Sequence, residues 1–279
     1  MVTGGAGFVG SNLVERLLAY GASVLVVDDF FTGERDSLPG DAPGLDVVEG
    51  TVCDDALVRS ALAGADVVIH AAARNIIVST RNPREDFDVN IGGTLTVLLA
   101  AREAGVGRIV YTSSCSIYGN PRYLPIGEDE PVSLLSPYAV SKFGGEAYCQ
   151  AFYESYGLPT AVVRYSNVYG PGQRPDNPYC GVVGKFLAAA LAGEPPRIHG
   201  DGEQTRDYTY VDDAVEATLL AAVSPKAEGQ VYNVGTGRET SVSQLARMIV
   251  AVSGADLEPE HVDRRDIDNI RRRVVSIEK

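Results

Sequence analysis

The stretch TGGAGFVGSNLVERL, residues 3–17, limits the fold more than any other part of the chain. It leaves a short apolar strand, passes Gly4, Gly7 and Gly10, and enters an amphipathic helical pattern; it also satisfies Gly5-x-Gly7-x-x-Gly10. Glycines at this spacing let backbone N–H groups approach a pyrophosphate, and the following helix turns its positive N-terminal end toward that charge. A tight turn without a ligand uses the same glycines, so the motif needs support. Asp28 gives it, ending the second strand 18 residues after Gly10, where dinucleotide folds place an acidic residue for the ribose hydroxyls. No arginine directly follows Asp28. That favours NAD over NADP, whose 2′-phosphate the carboxylate would repel.

The remaining pattern agrees. SVLVVDD (23–29), DVVIHAAA (66–73), RIVYTSS (108–114) and TAVVRYSNV (160–168) are apolar nearly throughout, as strands buried on both faces should be. Helical patterns lie between them at Ser11–Tyr20, Asp54–Ala63, Val89–Ala104 and Pro137–Tyr156. Strands separated by helices predict an α/β fold with a parallel, doubly wound sheet. The later chain is mixed: a Pro/Gly-rich loop at 169–181, a helix through Ala192, a strand at 230–235 and a helix from about Ser243 to Ser253. The expected division is a Rossmann domain over 1–168, with later contributions from about 205–235, and a smaller substrate-binding lobe from 169–204 and 236–279. Only Met1–Thr3 precede Gly4, so the central strand is expected to be short; the other end of the chain is RRRVVSIEK.

A net charge of −13 argues against a nucleic-acid or anionic-membrane surface. No apolar run reaches the roughly 18 residues of a membrane span. The four cysteines show no CxxC pairing and there are three histidines, which argues against a metal centre or a disulfide framework. A reducing cytoplasm is the expected home.

The chemistry-bearing stretch is SPYAVSKFGGE (136–146). With Pro137 suited to a first helical turn, Tyr138 and Lys142 fall one turn apart on one face. Alone, Y-x-x-x-K is common and usually means nothing. Here the preceding strand ends in hydroxyls at the carboxyl edge of the sheet, where ligands of open α/β folds bind. A phenol titrates near 10 and is a poor base at neutral pH. A neighbouring ammonium and an oxidised nicotinamide are expected to pull Tyr138 toward neutrality. Tyr138 would then take a proton from a sugar hydroxyl held by Ser114, while hydride leaves the same carbon and Lys142 anchors the nicotinamide ribose.

The motifs TGGAGFVGSNLVERL, VVDDFFTG, VIHAAA, DVNIGGT, YTSSCSIYG, SPYAVSKFGGE, RYSNVYGPGQ and GDGEQTRDYTYVDD resemble, in order and spacing, the extended short-chain dehydrogenase/reductase family. The likeness is to its NAD-dependent nucleotide-sugar epimerases and dehydratases, the UDP-glucose 4-epimerase-like members above all. It implies Ser114, Tyr138 and Lys142 as the catalytic trio. It implies a cofactor held by Gly4, Gly7, Phe8, Val9, Gly10, Asp28, Asp29, Thr51, Val52, Ala72, Asn90, Tyr138, Lys142 and Tyr165. It implies a nucleotide-diphosphate sugar met by Ser114, Tyr138, Asn167, Val182, Arg206 and Arg272, and a homodimer formed through helices near 90–104 and 138–156. GTVCD (50–54) departs from the family's G-D-I-R-D, so Thr51 stands where a carboxylate would touch adenine.

Relatives that dehydrate carry Asp-Glu directly after the position of Ser114, and decarboxylating ones keep the glutamate; this chain has Cys115 and Ser116. With no carboxylate there, the expected reaction is 4-epimerisation of a UDP-hexose or UDP-hexuronate through a transient 4-ketone. The alternatives are a dehydratase or decarboxylase on the same core, with Cys115 as an unusual acid, or a catalytically silent NAD-binding regulator. Arg174, Arg206 and Arg271–Arg273 are the candidate diphosphate partners, since guanidinium groups fork onto phosphate oxygens. His70 reads as a satisfied core histidine. Asp212 and Asp213 are expected to cap a helix.

Overall fold

The computed structural model describes residues 1–177, 180–264 and 270–279. In chain order the first half comprises β1 (Val2–Thr3), α1 (Phe8–Ala19), β2 (Val24–Asp28), β3 (Leu45–Glu49), α2 (Asp55–Ala61), β4 (Val67–His70), α3 (Ile76–Arg81), α4 (Pro83–Asp86), α5 (Thr94–Ala104) and β5 (Arg108–Ser114). There follow α6 (Pro137–Tyr156), β6 (Thr160–Tyr165), β7 (Asn167–Tyr169), α7 (Val182–Leu191), β8 (Arg197–His199), β9 (Thr205–Arg206) and β10 (Tyr208–Tyr210). The chain then forms α8 (Val211–Val223), β11 (Gln230–Val234), β12 (Thr240–Ser241), α9 (Val242–Ser253) and β13 (Glu260–Val262).

Seven strands make one parallel sheet in the order β11-β6-β5-β4-β1-β2-β3. The order reverses between β1 and β4, which opens a crevice at the carboxyl edge. β1 is only two residues long, as expected, yet it is paired on both sides. One face of the sheet buries Val68, Ile109, Tyr111 and Val162 against Val58, Val97, Leu98 and Phe152 of α2, α5 and α6. The other buries Val2, Val26 and Ile69 against Leu13, Val14, Val211 and Val215 of α1 and α8. At roughly 1.5–3 kcal/mol for each fully buried large aliphatic or aromatic side chain, these two layers hold the sheet's edge in place. α7, α9 and β8 enclose a separate small core of Phe186, Ala190, Ile198, Leu245 and Ile249.

Two local expectations are corrected. The helix expected over Val89–Ala104 begins as a π-helical stretch, Phe87–Gly93, and becomes α-helical only at Thr94. Asp212 and Asp213 sit in the first turn of α8 and no side chain caps it; Asp212 faces Arg16 at 3.5 Å instead. Carboxylates there favour the helix through its macrodipole rather than by a capping bond. The strand β3 and the short helices α3 and α4 had no separate periodic signal in the sequence.

Candidate active site

The glycine turn leads from β1 into α1 at the crevice. Gly4 has φ +67°, and a Cβ there would stand 2.7 Å from the Ala72 backbone. A Cβ on Gly10 would stand 2.0 Å from the Gly4 carbonyl oxygen, so α1 can approach the turn only with glycine at that position. Asp28, 7% exposed, accepts from the Ala6 N–H (2.9 Å) and the Phe30 N–H (2.8 Å). Burial raises its pKa and those two bonds oppose the rise. The bond to Phe30 also steadies a non-glycine residue at φ +53°, a conformation costing on the order of 1–3 kcal/mol that clusters at ligand sites.

Gly4, Gly7, Asp28, Asp29, Val52, Ala72 and Val89 line one cleft, and Phe8 lines an adjoining hollow. Val9 is turned into the core under α1. Thr51 lies beside the cleft, its hydroxyl accepting from the Cys53 N–H at 3.3 Å, while Gly50 and Val52 line the cleft itself. Asp29 is held by Arg74 at 2.8 Å, which also pairs with Glu85 at 2.7 Å. Asn90 is buried and fully used: it accepts from the Arg74 N–H and donates to the Arg74 carbonyl, to Asp86 and to Ser141. That network ties the π-helical stretch to α6 and to the loop after β4. A glycine turn, a helix N-terminus and a carboxylate steadied by two N–H groups fit a dinucleotide at this switch point. Tyr165 contributes differently, since its hydroxyl bonds Thr218 on α8 and its ring packs on that side of the sheet.

The second half of the site stands on β5 and α6. Ser136 caps α6, accepting from the Ala139 N–H at 3.2 Å, and Pro137 occupies the first turn. Tyr138 is thereby set near the end of β5, close enough to the Ser114 hydroxyl that Ser114 lowers its pKa. Ser114 also donates to the Ser116 hydroxyl at 2.9 Å. Lys142 is 3% exposed, with its ammonium 4.7 Å from the centre of the Tyr111 ring. Burial pulls its pKa down to about 8 against the opposing charges of Glu146 and Asp86. The expectation for Tyr138 is corrected for the protein alone: burial pushes its pKa up to about 12, more than the Ser114 bond and the Arg273 charge can offset.

Alongside lies a cavity of about 620 Å³ lined by residues that include Ser116, Ser136, Asn167, Val182, Arg206 and Arg273. Val182 begins α7, so that helix turns its N-terminal end toward the cavity. Arg206 is braced by the carbonyls of Thr205 (2.7 Å) and Ile270 (3.1 Å). The other expected arginines are elsewhere. Arg174 meets Glu34, Asp36 and Asp176; Arg271 meets Asp201; and Arg272 points to Glu239 at 2.6 Å. Arg273, the next residue, takes the inward place that Arg272 was expected to hold. Within the loop 169–181, residues 178 and 179 lie outside the described residues.

Two neighbours behave as framework. His70 bonds Thr3 (2.7 Å) and Thr94 (2.9 Å) and is held neutral, its pKa pushed down to about 3 by burial and by Lys142. Cys115 is 1% exposed, its thiol directed at the Arg164 carbonyl at 3.3 Å and pushed up to about 12 by burial. Sequence reasoning missed Asp207, a wholly buried carboxylate that accepts from Thr236, Gly237 and the Val275 N–H and so docks the C-terminal segment beside the cavity. Its position in TRDYTY was a visible signal. Ser136 and Asp86 were likewise missed.

Comparison with known proteins gives a consistent set of likenesses. A sequence model of the NAD dependent epimerase/dehydratase family matches residues 1–235. The UDP-glucose 4-epimerase of Mycolicibacterium smegmatis is 42% identical over 99% of this chain and 91% of its own length. The crystal structure of a UDP-glucose 4-epimerase with UDP-glucose from Thermotoga maritima superposes with a TM-score of 0.94 at 36% identity, covering 99% of this chain and 89% of that one. The UDP-glucose 4-epimerase of Thermus thermophilus in complex with NAD gives 0.89 at 37% identity, with the same coverage of both chains.

Proposed function

The chain belongs to the NAD-dependent epimerase/dehydratase family, and from that premise we propose that it inverts C4 of a UDP-linked sugar through a transient 4-ketone. The observation that carries this reading is that Ser114, at the end of β5, and Tyr138 and Lys142, one turn apart on α6, neighbour Ser116 and Ser136, which line a cavity of about 620 Å³. Bound NAD supplies a hydride acceptor and a positive charge beside the phenol. Tyr138 accepts the C4 hydroxyl proton and later returns it. Ser114 holds that oxygen, and Ser116 fixes the Ser114 rotamer. Lys142, one turn on from Tyr138 on the same helix face, supplies an ammonium that favours the ionised phenol. Gly4, Gly7, Gly10 and Asp28 carry the pyrophosphate and ribose of the cofactor, while Asn167, Val182 and Arg206 meet the diphosphate of the substrate.

Inversion requires that the ketone present its other face before hydride returns, and that nothing intercept it first. Cys115 is buried and protonated, and Ser116 carries no ionisable group. Both features favour epimerisation over elimination. In this reading residues 1–168, with 205–235, bind the cofactor, and 169–204 with 236–279 bind the nucleotide sugar. The assembly is a homodimer in a reducing cytoplasm, paired through α5 and α6, whose outer surfaces leave Val140 and Tyr156 about half exposed (48% and 56%). Among the described residues, no helix is long and apolar enough to cross a membrane. The test is NMR of UDP-glucose, UDP-N-acetylglucosamine and UDP-glucuronate, each incubated with the purified protein. A C4 epimer from at least one is expected; consumption of all three without any epimer rejects the reading.

A further inference from the structure

Arg273 lines the cavity and is 9% exposed, and its Nε is buried without a hydrogen-bond partner. Among the described residues no carboxylate lies within ion-pair distance of it. Its neighbours in sequence are provided for, Arg271 by Asp201 and Arg272 by Glu239. A guanidinium is effectively always charged, and a buried one without a counter-charge is unfavourable unless a ligand brings that charge. Burial and the adjacent Arg206 do pull its pKa down, to about 10. The missing anion therefore belongs to whatever fills the cavity.

A substrate diphosphate already has Arg206 and the N-terminal end of α7. Arg273 lines the same cavity, and its charge acts on both Tyr138 and Cys115. This is the end where C4 would react. On a hexose ring, C4 is flanked by C3 and by C5, which bears C6. We propose that the sugar carries a carboxylate at C6, a nucleotide-linked hexuronate, and that Arg273 receives it by paired N–H···O bonds. The proposal rests on the 4-epimerase reading above and narrows it to one substrate class.

The chemistry of the ketone fits this role. A 4-keto-hexuronate is a β-keto acid. Loss of CO₂ would break C5–C6, pass the electron pair into an enolate spanning C5 and the C4 oxygen, and require a proton at C5. A guanidinium that pairs with the carboxylate stabilises charge where CO₂ loss would remove it. Ser116 has no acid to deliver the proton. Both features keep C6 in place while C4 inverts.

The experiment compares kcat/KM for UDP-glucuronate and UDP-glucose by NMR, using the purified full chain with its NAD. A charge-assisted pair predicts a preference of roughly 100-fold for the uronate. Arg273→Met should erase that preference through KM, and Arg273→Lys should restore part of it. NAD retention by mass spectrometry and the melting temperature report whether each variant is folded, and the wild-type ratio stands without them. If UDP-glucose is epimerised as well as or better than UDP-glucuronate, this inference fails and the 4-epimerase reading survives. If neither yields an epimer, this inference fails, and the 4-epimerase reading fails with it when UDP-N-acetylglucosamine is also consumed without an epimer. Release of CO₂ with a pentose product overturns the role given to Arg273.

Discussion

Two buried arginines whose charges both act on Cys115 have opposite circumstances. Arg164, on β6, is paired with Glu146 of α6 at 2.7 Å, bonds the Tyr118 hydroxyl at 2.7 Å, and reaches the Glu128 carbonyl at 3.0 Å. Burial alone would lower its pKa, yet these partners raise it instead. Arg273 has burial without such partners, so its pKa falls. The first corner is complete within the chain and locks α6 to the sheet. The second is incomplete, as a surface that waits for a ligand should be. A change in the complete corner should therefore cost stability, and a change at the incomplete end should cost turnover with little loss of fold.

The largest effect expected is at the incomplete end. Tyr138→Phe removes only a hydroxyl, and kcat should fall by about 10²–10⁴-fold, the range of a lost general base or acid. Its melting temperature should stay within a few degrees of the parent. Parental turnover in the Phe variant would end the proposed mechanism. Next comes the complete corner. Glu146→Gln leaves the Arg164 charge buried against a neutral amide, and removal of one partner from a buried pair costs about 3–5 kcal/mol. Thermal denaturation should show a drop of roughly 10 °C. Arg273→Met should leave the melting temperature unchanged or raise it, because an uncompensated buried cation is removed. A large destabilisation there would erase the contrast between the two corners.

Lys142 belongs to both regions, since Glu146 lies one turn beyond it. Burial sets its pKa at about 8, below the ordinary lysine value. The ammonium is the working form, so it is present below that pH and lost as pH rises through it. The profile of kcat/KM should fall above about pH 8, approaching tenfold per unit. Lys142→Arg should move that limb upward, at a lower plateau. An alkaline limb left in place by the substitution would assign the titration to another group.

How much of this was legible in the sequence follows the same division. The placement of the glycine turn, Asp28, Ser114, Tyr138 and Lys142 in the fold could be read because each is fixed by its own strand–turn–helix unit, where spacing determines which face a residue occupies. Glu146 stands in the same quoted stretch, yet its partner Arg164 is a strand away, and pairing across a sheet leaves no periodic trace. Among Arg271, Arg272 and Arg273, neighbouring side chains leave the backbone in different directions. Which one enters the cavity depends on where the segment docks, through Asp207 on the Val275 N–H and the Val274 carbonyl on Ile126. That is a tertiary decision. Sequence likeness pointed to Arg272, which pairs with Glu239, whereas it is Arg273 that lines the cavity. The raised pKa of Tyr138 was unreadable for a related reason, since desolvation is a property of the folded surroundings and not of the helical spacing.

Cys115 lies between the two corners, and the smallest predicted effect separates them most finely. Its thiol donates to the Arg164 carbonyl at 3.3 Å and is packed with Ile117, Tyr118, Ile126 and Val275. It therefore belongs to the framework. Its pKa is pushed up to about 12, so a thiolate is not available near neutral pH. Cys115→Ala removes one buried sulfur and a weak hydrogen bond, which should cost about 1 kcal/mol and shift the melting temperature by only a few degrees. Turnover should stay within about twofold of the parent, since a preserved Ser114–Tyr138 geometry leaves the barrier nearly unchanged. If turnover instead drops more than tenfold while the melting temperature holds, the thiol is taking part in proton transfer. Cys115 would then move to the reacting side of the boundary, and the dehydratase reading would have to be reopened with Cys115 as its acid.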